Sequence, residues 1–160
     1  MMICKVSMPP PFGSLTKELE VYQRISWSGE ELRVPKLKGV VKSHTGIIAS
    51  LLGYIPHKHH SLLMILDYVK RGLLPTTEAP TAMGTKWAEQ IKDCVARLHE
   101  LGILWCDVKT DNVLIDNEGD AIVLDFGGGN TVGWVDEDKY GTLEGDLQGL
   151  EKIMTALKEE

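Results

Sequence analysis

Two short apolar runs with a polar turn between them, within residues 113–124, constrain the fold more than any other feature of the chain. The runs VLI (113–115) and AIVL (121–124) flank the segment DNEGD (116–120). Apolar runs bounded by Asn, Asp and Gly are typical of a β-hairpin. Because antiparallel pairing brings the two ends of a hairpin side by side, we expect Asn112 and Asp125 to lie close together.

The residues around this hairpin form a longer pattern, WCDVKTDNVLI at 105–115 and LDFGG at 124–128. An Asp is followed after four residues by an Asn, and a second Asp precedes Phe-Gly beyond the hairpin. The joint pattern resembles the catalytic and magnesium loops of the protein kinase superfamily, most closely the kinase-like proteins of filamentous fungi. Trp105 and Cys106 stand where that family usually has His-Arg. The alternative is a turn-rich surface on which Asp and Asn only cap and turn the chain.

The resemblance implies a role for each polar residue of the pattern. Asp107 takes the position of the catalytic base, and Lys109 that of a lysine that steadies the transferring phosphate. Asn112 and Asp125 take the positions that hold Mg²⁺. The cofactors implied are therefore ATP and Mg²⁺.

The first part of the chain resembles the small lobe of the same family. Lys5, in the apolar run MICKV, takes the place of the strand lysine that contacts phosphate, and KELEVYQRI (17–25) that of the helix that follows. The register of this helix selects Glu18 as the partner of Lys5, with Glu20 as the second choice. The alternative for both is a solvated helix charge.

Residues 34–41 and 47–52 read as two β-strands. By resemblance the second leads into a hinge that lines an adenine pocket, with Leu52 as gatekeeper and Gly53, Tyr54 and Ile55 as the hinge. The alternative for Leu52 is core packing, which needs no ligand.

Two further helices are predicted, one on each side of the hairpin. Trp87, Ile91, Cys94, Val95, Leu98 and Leu101 recur at helical spacing before Gly102, and Leu147, Leu150, Met154 and Leu157 do so near the end. Asp146 is either the cap of the last helix or, by resemblance, the aspartate that braces the catalytic-loop backbone.

The resemblance implies an α+β, two-lobed kinase-like fold in one domain, with residues 1–56 as a partial small lobe and 57–160 as a partial large lobe. No G-x-G-x-x-G precedes Lys5, and 160 residues fall short of the roughly 250 that two lobes need. We therefore expect an incomplete small lobe and a truncated helical lobe.

Activation by phosphorylation is not expected. Cys106 lacks the guanidinium that in this family pairs with a phosphorylated residue, and no A-P-E pattern follows. Thr131 and Thr142 nevertheless offer hydroxyls that could be phosphorylated.

Composition excludes several other classes. A formal net charge of −6 argues against binding nucleic acid or an anionic membrane, and no apolar run is long enough to span a bilayer. Three scattered cysteines and the absence of a leader sequence predict a reduced, cytoplasmic setting.

The function expected from the resemblance is transfer of the ATP γ-phosphoryl group to a hydroxyl, usually Ser or Thr of a protein in this family. A small-molecule hydroxyl is the second possible acceptor. The alternative from another class is a catalytically silent pseudokinase, or a truncated fragment, that acts as a binding scaffold. The retained Asp107, Asn112 and Asp125 favour the enzyme.

Overall fold

The computed structural model describes residues 1–6, 13–44, 46–58, 61–74, 81–129 and 131–158. An antiparallel sheet of three strands and one helix come first, and three helices and a two-stranded hairpin follow. This segregation of a small sheet from a mainly helical part confirms the predicted α+β class.

The sheet contains β1 (Met2–Val6), β2 (Leu37–Ser43) and β3 (Gly46–Gly53), in the order β1-β3-β2. Lys5 lies opposite Ser50 on β3. The prediction that β2 starts at residue 34 was wrong, since the strand starts at Leu37. Pro35 has no amide hydrogen to donate to a ladder, and the Val34 amide donates to Leu32 O instead.

Helix α1 (Gly13–Ser28) covers the predicted helix and extends it at both ends. Its buried positions, Leu15, Glu18, Val21, Tyr22 and Ile25, follow the three-to-four residue period of one helix face. A carboxylate therefore lies in the middle of an apolar stripe. Burial of a charged carboxylate costs free energy unless a cation or a hydrogen-bond donor compensates it. Glu18 is therefore expected to have such a partner.

Helix α2 (Leu62–Lys70) was not predicted, and helix α3 (Thr81–Glu100) was. The face of α3 that carries Trp87, Ile91, Cys94, Val95 and Leu98 is buried, as its periodicity indicated. At the end of α3, Gly102 has a φ of 66°, and the Ile103 amide donates to Leu98 O. This left-handed C-terminal turn is one that glycine adopts without a steric cost.

Helix α4 (Leu143–Ala156) is capped by Thr142, whose Oγ1 accepts a hydrogen bond from the Gly145 amide. Asp146 lies inside the first turn of α4, whereas an N-cap residue precedes the helix. The prediction that Asp146 caps this helix was therefore wrong. Leu147 was predicted on the buried stripe, but it is exposed, and Ile153 is buried. The packed face of α4 is thus rotated relative to the predicted one.

The hairpin consists of β4 (Val113–Ile115) and β5 (Ala121–Val123), as predicted, with Val113 opposite Val123. Short 3₁₀ helices at Thr110–Asn112 and Glu137–Lys139 flank it in the chain. Hairpin residues join α1, α3 and α4 in one buried apolar cluster. No helix in the described part of the chain is long and apolar enough to cross a membrane.

Candidate active site

Lys5 forms a bridge between two acidic residues from different elements. Its Nζ lies 3.0 Å from Glu18 Oε1 on α1 and 2.7 Å from Asp125 Oδ1, which follows β5. The bridge joins the sheet, the helix and the end of the hairpin at one point. The structure thus brings Lys5 together with Glu18, whereas Glu20 is exposed.

The charges of this bridge depend on one another. Burial raises the pKa of the Glu18 carboxyl above its usual range, and the Lys5 ammonium opposes that shift. Burial alone would lower the pKa of Lys5, but hydrogen bonds and charge from Asp125 and Glu18 raise it. Lys5 is therefore a fixed cation at this site.

Asp107 is buried and held by side chains of its own loop. Asn112 Nδ2 donates to Asp107 Oδ2 at 2.8 Å and to its backbone oxygen at 2.9 Å. Lys109 Nζ lies 2.8 Å from the same Oδ2, and Thr131 Oγ1 donates to Oδ1 at 3.2 Å. A carboxylate that accepts a hydroxyl hydrogen at this distance has the geometry required of a general base.

The hairpin brings Asn112 and Asp125 to the same cavity, as antiparallel pairing predicts. The Leu124 amide donates to Asn112 O at 2.9 Å, which ties the entrance of the hairpin to its exit. Asp125 has a φ of 63°, a left-handed conformation that costs free energy in a residue other than glycine. Backbone strain of this kind is concentrated at functional sites.

Side-chain oxygens of Asn112 and Asp125 are of the type that Mg²⁺ prefers. Asn112 binds Asp107 through its amide nitrogen and not through its side-chain oxygen. Among the described residues, no group of three or more His, Cys, Asp or Glu forms a complete metal site. Two side-chain oxygens suit an ion that takes few protein ligands and completes its shell with phosphate and water, as Mg²⁺ does.

A cavity of about 400 Å³ extends from these polar groups. Lys5, Glu18, Asn112 and Asp125 line one part of it, and the rest of its lining is mostly apolar. Leu52, Gly53 and Ile55 line the cavity, but the Tyr54 side chain does not: its ring lies beside His57 with centroids 5.9 Å apart. The lining residues that sequence reasoning missed are Ile3, Cys4, Tyr22, Pro35, His57, Leu114 and Leu124.

Some of these missed residues had a signal in the sequence. Ile3 lies opposite Leu52 in the sheet, which follows once the strands are paired in register. Tyr22 is four residues after Glu18 on α1 and so shares its face. Thr131, by contrast, had no spacing that connects it with Asp107.

Comparison with known proteins identifies the family. The family model described as the protein kinase domain matches residues 16–144, which is most of the chain. The chain belongs to the protein kinase domain family.

Several serine/threonine kinases are similar to parts of this kinase domain. Serine/threonine-protein kinase PKH3 of Eremothecium gossypii is 34% identical over 104 residues, which are 62% of this chain and 14% of that protein. PKH3 of Saccharomyces cerevisiae is 32% identical over 96 residues, 57% of this chain and 10% of that protein. Human ribosomal protein S6 kinase alpha-2 is 35% identical over 83 residues, 48% of this chain and 11% of that protein. The kinase domain thus spans a small part of these curated relatives.

The kinase domain supports its catalytic loop from α4. Asp146 is buried, and its carboxylate accepts hydrogen bonds from the Trp105 amide at 2.7 Å and the Cys106 amide at 2.8 Å. His99 Nε2 lies 2.9 Å from the same carboxylate. The structure therefore places Asp146 against the loop backbone, the second of the two alternatives drawn from the sequence.

Trp105 and Cys106 replace the family's His-Arg within this supported backbone. The Trp105 ring is fully buried, and its Nε1 donates to Leu124 O at 2.8 Å, which links the loop to the residue before Asp125. Cys106 has a φ of 69°. Both bonds to Asp146 stabilise that strained turn, so the position of Asp107 depends on α4.

Proposed function

We propose that this kinase domain is an ATP-dependent phosphotransferase that transfers the γ-phosphoryl group to a hydroxyl. The observation that carries the proposal is the bridge from Lys5 to both Glu18 and Asp125. A strand lysine paired with a helix glutamate, together with an Asp before Phe-Gly that contacts the same lysine, is the arrangement that phosphoryl transfer in protein kinases uses.

Each polar residue would perform one step of the reaction. Lys5 binds phosphate oxygens, and Glu18 keeps its ammonium group in position. Asp107 orients the acceptor hydroxyl and takes its proton, and Lys109 stabilises charge on the phosphoryl oxygens. Asn112 and Asp125 would hold Mg²⁺, which neutralises phosphate charge when it is bound.

The apolar part of the cavity would hold the adenine. Leu52 and Ile55 supply apolar surface there, and the backbone of Gly53, Tyr54 and Ile55 forms the proposed hinge. This assignment places residues 1–56 in a small lobe and 57–160 in a large lobe, with the nucleotide between them. The names of the similar kinases support a Ser or Thr of a protein as the acceptor.

A scaffold without catalysis is the second candidate, and one observation favours it. Asp107 is only 9% exposed, and a Cβ added at Gly129 would lie 2.8 Å from Asp107 Cγ. The chain itself thus covers the proposed base, which an external acceptor must reach. A small-molecule acceptor would need less space there than a protein segment.

Thermal unfolding with ATP, with and without Mg²⁺, tests the proposal. Because a ligand stabilises a protein by binding its folded state, saturation at about a hundred times Kd adds about 2.7 kcal/mol. We expect this stabilisation to need Mg²⁺ and to be lost in Asp125→Asn. Glu18→Gln should weaken it, and Glu20→Gln, the matched control, should not. A folded chain that Mg²⁺ and ATP do not stabilise would contradict the enzyme and favour the scaffold.

A further inference from the structure

We propose that Arg24 is a positioning residue of the active site, an inference that rests on the proposed function. Arg24 lies on α1, and its Nη2 donates to Leu101 O at 2.6 Å and to Gly102 O at 3.2 Å. Both carbonyls directly follow α3, and Asp107 is five residues after Gly102. Arg24 therefore joins the helix that carries Glu18 to the chain that leads into the catalytic loop.

The carbonyl end of α3 suits a guanidinium group. The last carbonyls of a helix have no partner within the helix, and its dipole places partial negative charge at that end. A guanidinium carries several N–H donors and a permanent positive charge. Arg24 thus satisfies two carbonyls and is attracted by the helix end at the same time.

Gly102 gives the turn after α3 the shape that Arg24 needs. Its φ of 66° is one that glycine adopts without a steric cost. A Cβ at this position would also lie only 3.2 Å from Arg24 Nη2. A larger residue at position 102 would therefore strain the turn and crowd the guanidinium.

A second arginine makes the reverse contact. Arg97, in the last turn of α3, binds the Glu30 carboxylate through Nη2 and donates from Nη1 to Glu31 O at 3.2 Å. Glu30 and Glu31 follow α1, which ends at Ser28. Each of the two helices thus supplies an arginine to the chain that follows the other, and their C-terminal ends are held together.

This contact bears on the active site through Glu18. Glu18 is six residues before Arg24, which is about 9 Å along a helix axis. The bridge to Lys5 holds the first half of α1, but Lys5 is partly exposed, so that bridge alone is weak. Separation of the last turns of α1 from α3 would tilt the helix and displace Glu18 from Lys5. Arg24 therefore keeps the ammonium group of Lys5 in place without touching it.

A double-mutant cycle tests whether Arg24 acts through Glu18. The Kd for ATP at saturating Mg²⁺ is measured by titration calorimetry for wild type, Arg24→Met, Glu18→Gln and the double variant. Arg24→Met should weaken binding by about five- to tenfold, the factor expected from bonds of a charged group to a helix end. It should have little further effect beside Glu18→Gln, because residues that act as one unit have non-additive effects.

Two further variants complete the cycle. Arg24→Lys keeps the positive charge but lacks the planar set of donors, so it should restore part of the affinity. Arg71→Met is the matched control, because Arg71 is an exposed arginine at the end of α2 whose side chain pairs with Asp67. It should bind ATP as wild type does.

Hydrogen exchange without nucleotide separates positioning of α1 from a general loss of stability. Arg24→Met should speed the exchange of α1 amides by about five- to tenfold and leave the amides of the β4–β5 hairpin unchanged, since local opening does not require global unfolding. An equal increase at α1 and at the hairpin would overturn the positioning role.

The outcomes for the two proposals differ. If wild type binds ATP with Mg²⁺ and Arg24→Met binds it equally well, the inference is wrong and the proposed function stands. The same holds if the losses from Arg24→Met and Glu18→Gln add. Failure of the folded wild type to bind ATP would overturn the proposed function and with it this role of Arg24.

Discussion

Lys5 Nζ and Asp125 Oδ1 lie 2.7 Å apart, although 120 residues separate them in the sequence. Glu18 Oε1 contacts the same ammonium group from α1. The three residues belong to separate elements, so their contact reports that the sheet, α1 and the hairpin are packed together. The pair of Lys5 and Asp125 is therefore sensitive to how these three elements are packed.

Lys5→Met should destabilise the fold in a pH-dependent way. Burial raises the pKa of Glu18, and removal of Lys5 raises it further because the ammonium opposes that shift. At pH 8 the variant buries an unpaired carboxylate, and its free energy of unfolding should fall by about 1–3 kcal/mol, a range lowered because Lys5 is partly exposed. A folded-state pKa above the unfolded one makes the folded state gain stability as pH falls.

Urea unfolding at pH 5 and pH 8 measures this effect. The loss in free energy of unfolding that Lys5→Met causes should be smaller at pH 5 than at pH 8, because a raised pKa leaves less of Glu18 charged at the lower pH. Lys92→Met changes an exposed lysine on α3 and is the control. An equal deficit at both pH values would show that Glu18 is not the partner that matters.

Asp120→Asn should reduce stability at neutral pH, and the loss should become smaller as pH falls below about 4. Hydrogen bonds from Lys86, Gln90 and Arg33 hold the pKa of Asp120 well below its usual value of 3.8. A depressed pKa stabilises the fold above the unfolded pKa, and that contribution is lost as pH falls through the folded one. We expect a loss of about 1–2 kcal/mol at pH 7 that shrinks below about pH 4.

Denaturant titrations from pH 7 to pH 3 check this prediction, with the exposed Asp111→Asn as control. A difference between wild type and Asp120→Asn that stays constant down to pH 3 would mean that the charge of Asp120 does not contribute.

Asp146→Asn should destabilise the fold, because it weakens the contact between α4 and the loop before Asp107. Its carboxylate accepts hydrogen bonds from two loop amides at 2.7 and 2.8 Å, and an amide side chain replaces one acceptor oxygen with a donor. We expect the free energy of unfolding to fall by about 2–3 kcal/mol, the range for bonds to a charged group. Chemical denaturation measures it, with exposed Asp138→Asn as the control. Unchanged stability would mean that the loop holds its shape without α4.

Gly149→Ala tests how closely α4 approaches the catalytic loop. Alanine favours a helix by about 1 kcal/mol over glycine, so the substitution should stabilise α4 if nothing opposed it. A Cβ at Gly149, however, would lie 2.6 Å from Val108 Cβ and 2.9 Å from Val108 O. Overpacking costs about 1–3 kcal/mol, so we expect net destabilisation.

Thermal unfolding gives the sign of this change. Gly39→Ala is the matched control, because a Cβ there would meet only Leu51 Cδ1 at 3.8 Å. A higher melting temperature for Gly149→Ala would show that α4 can move away from Val108 at little cost.

Local patterns predicted much of this fold. The hairpin of β4 and β5 and the buried face of α3 depend on the order of neighbouring residues, and the periods of strand and helix are visible in the sequence. The proximity of Asn112 and Asp125 followed from the hairpin alone. Glu18 was chosen by its register in a family pattern, and its burial among apolar residues of α1 agrees with that choice.

Packing between distant elements decided what the sequence could not predict. Leu147 has the spacing of a core residue, but the neighbours of α4 cover the face that carries Ile153. Tyr54 places its ring beside His57 and does not line the cavity, which depends on the course of the chain after β3. Thr131 contacts Asp107 after a segment in which Gly128 has a φ of 77° and Gly129 lies close to Asp107, and composition does not give the direction of that segment.

The two bonds between Asp146 and the loop backbone also set how often that loop opens. Loop amides usually exchange their hydrogen with solvent quickly, because local opening costs little. The amides of Trp105 and Cys106 donate instead to a carboxylate that is 2% exposed. Their exchange with deuterium should therefore require separation of the loop from α4 and should be about as slow as exchange in the core strands. The amide of Cys106, the residue before Asp107, should thus be protected like a core amide although it lies in no helix or strand.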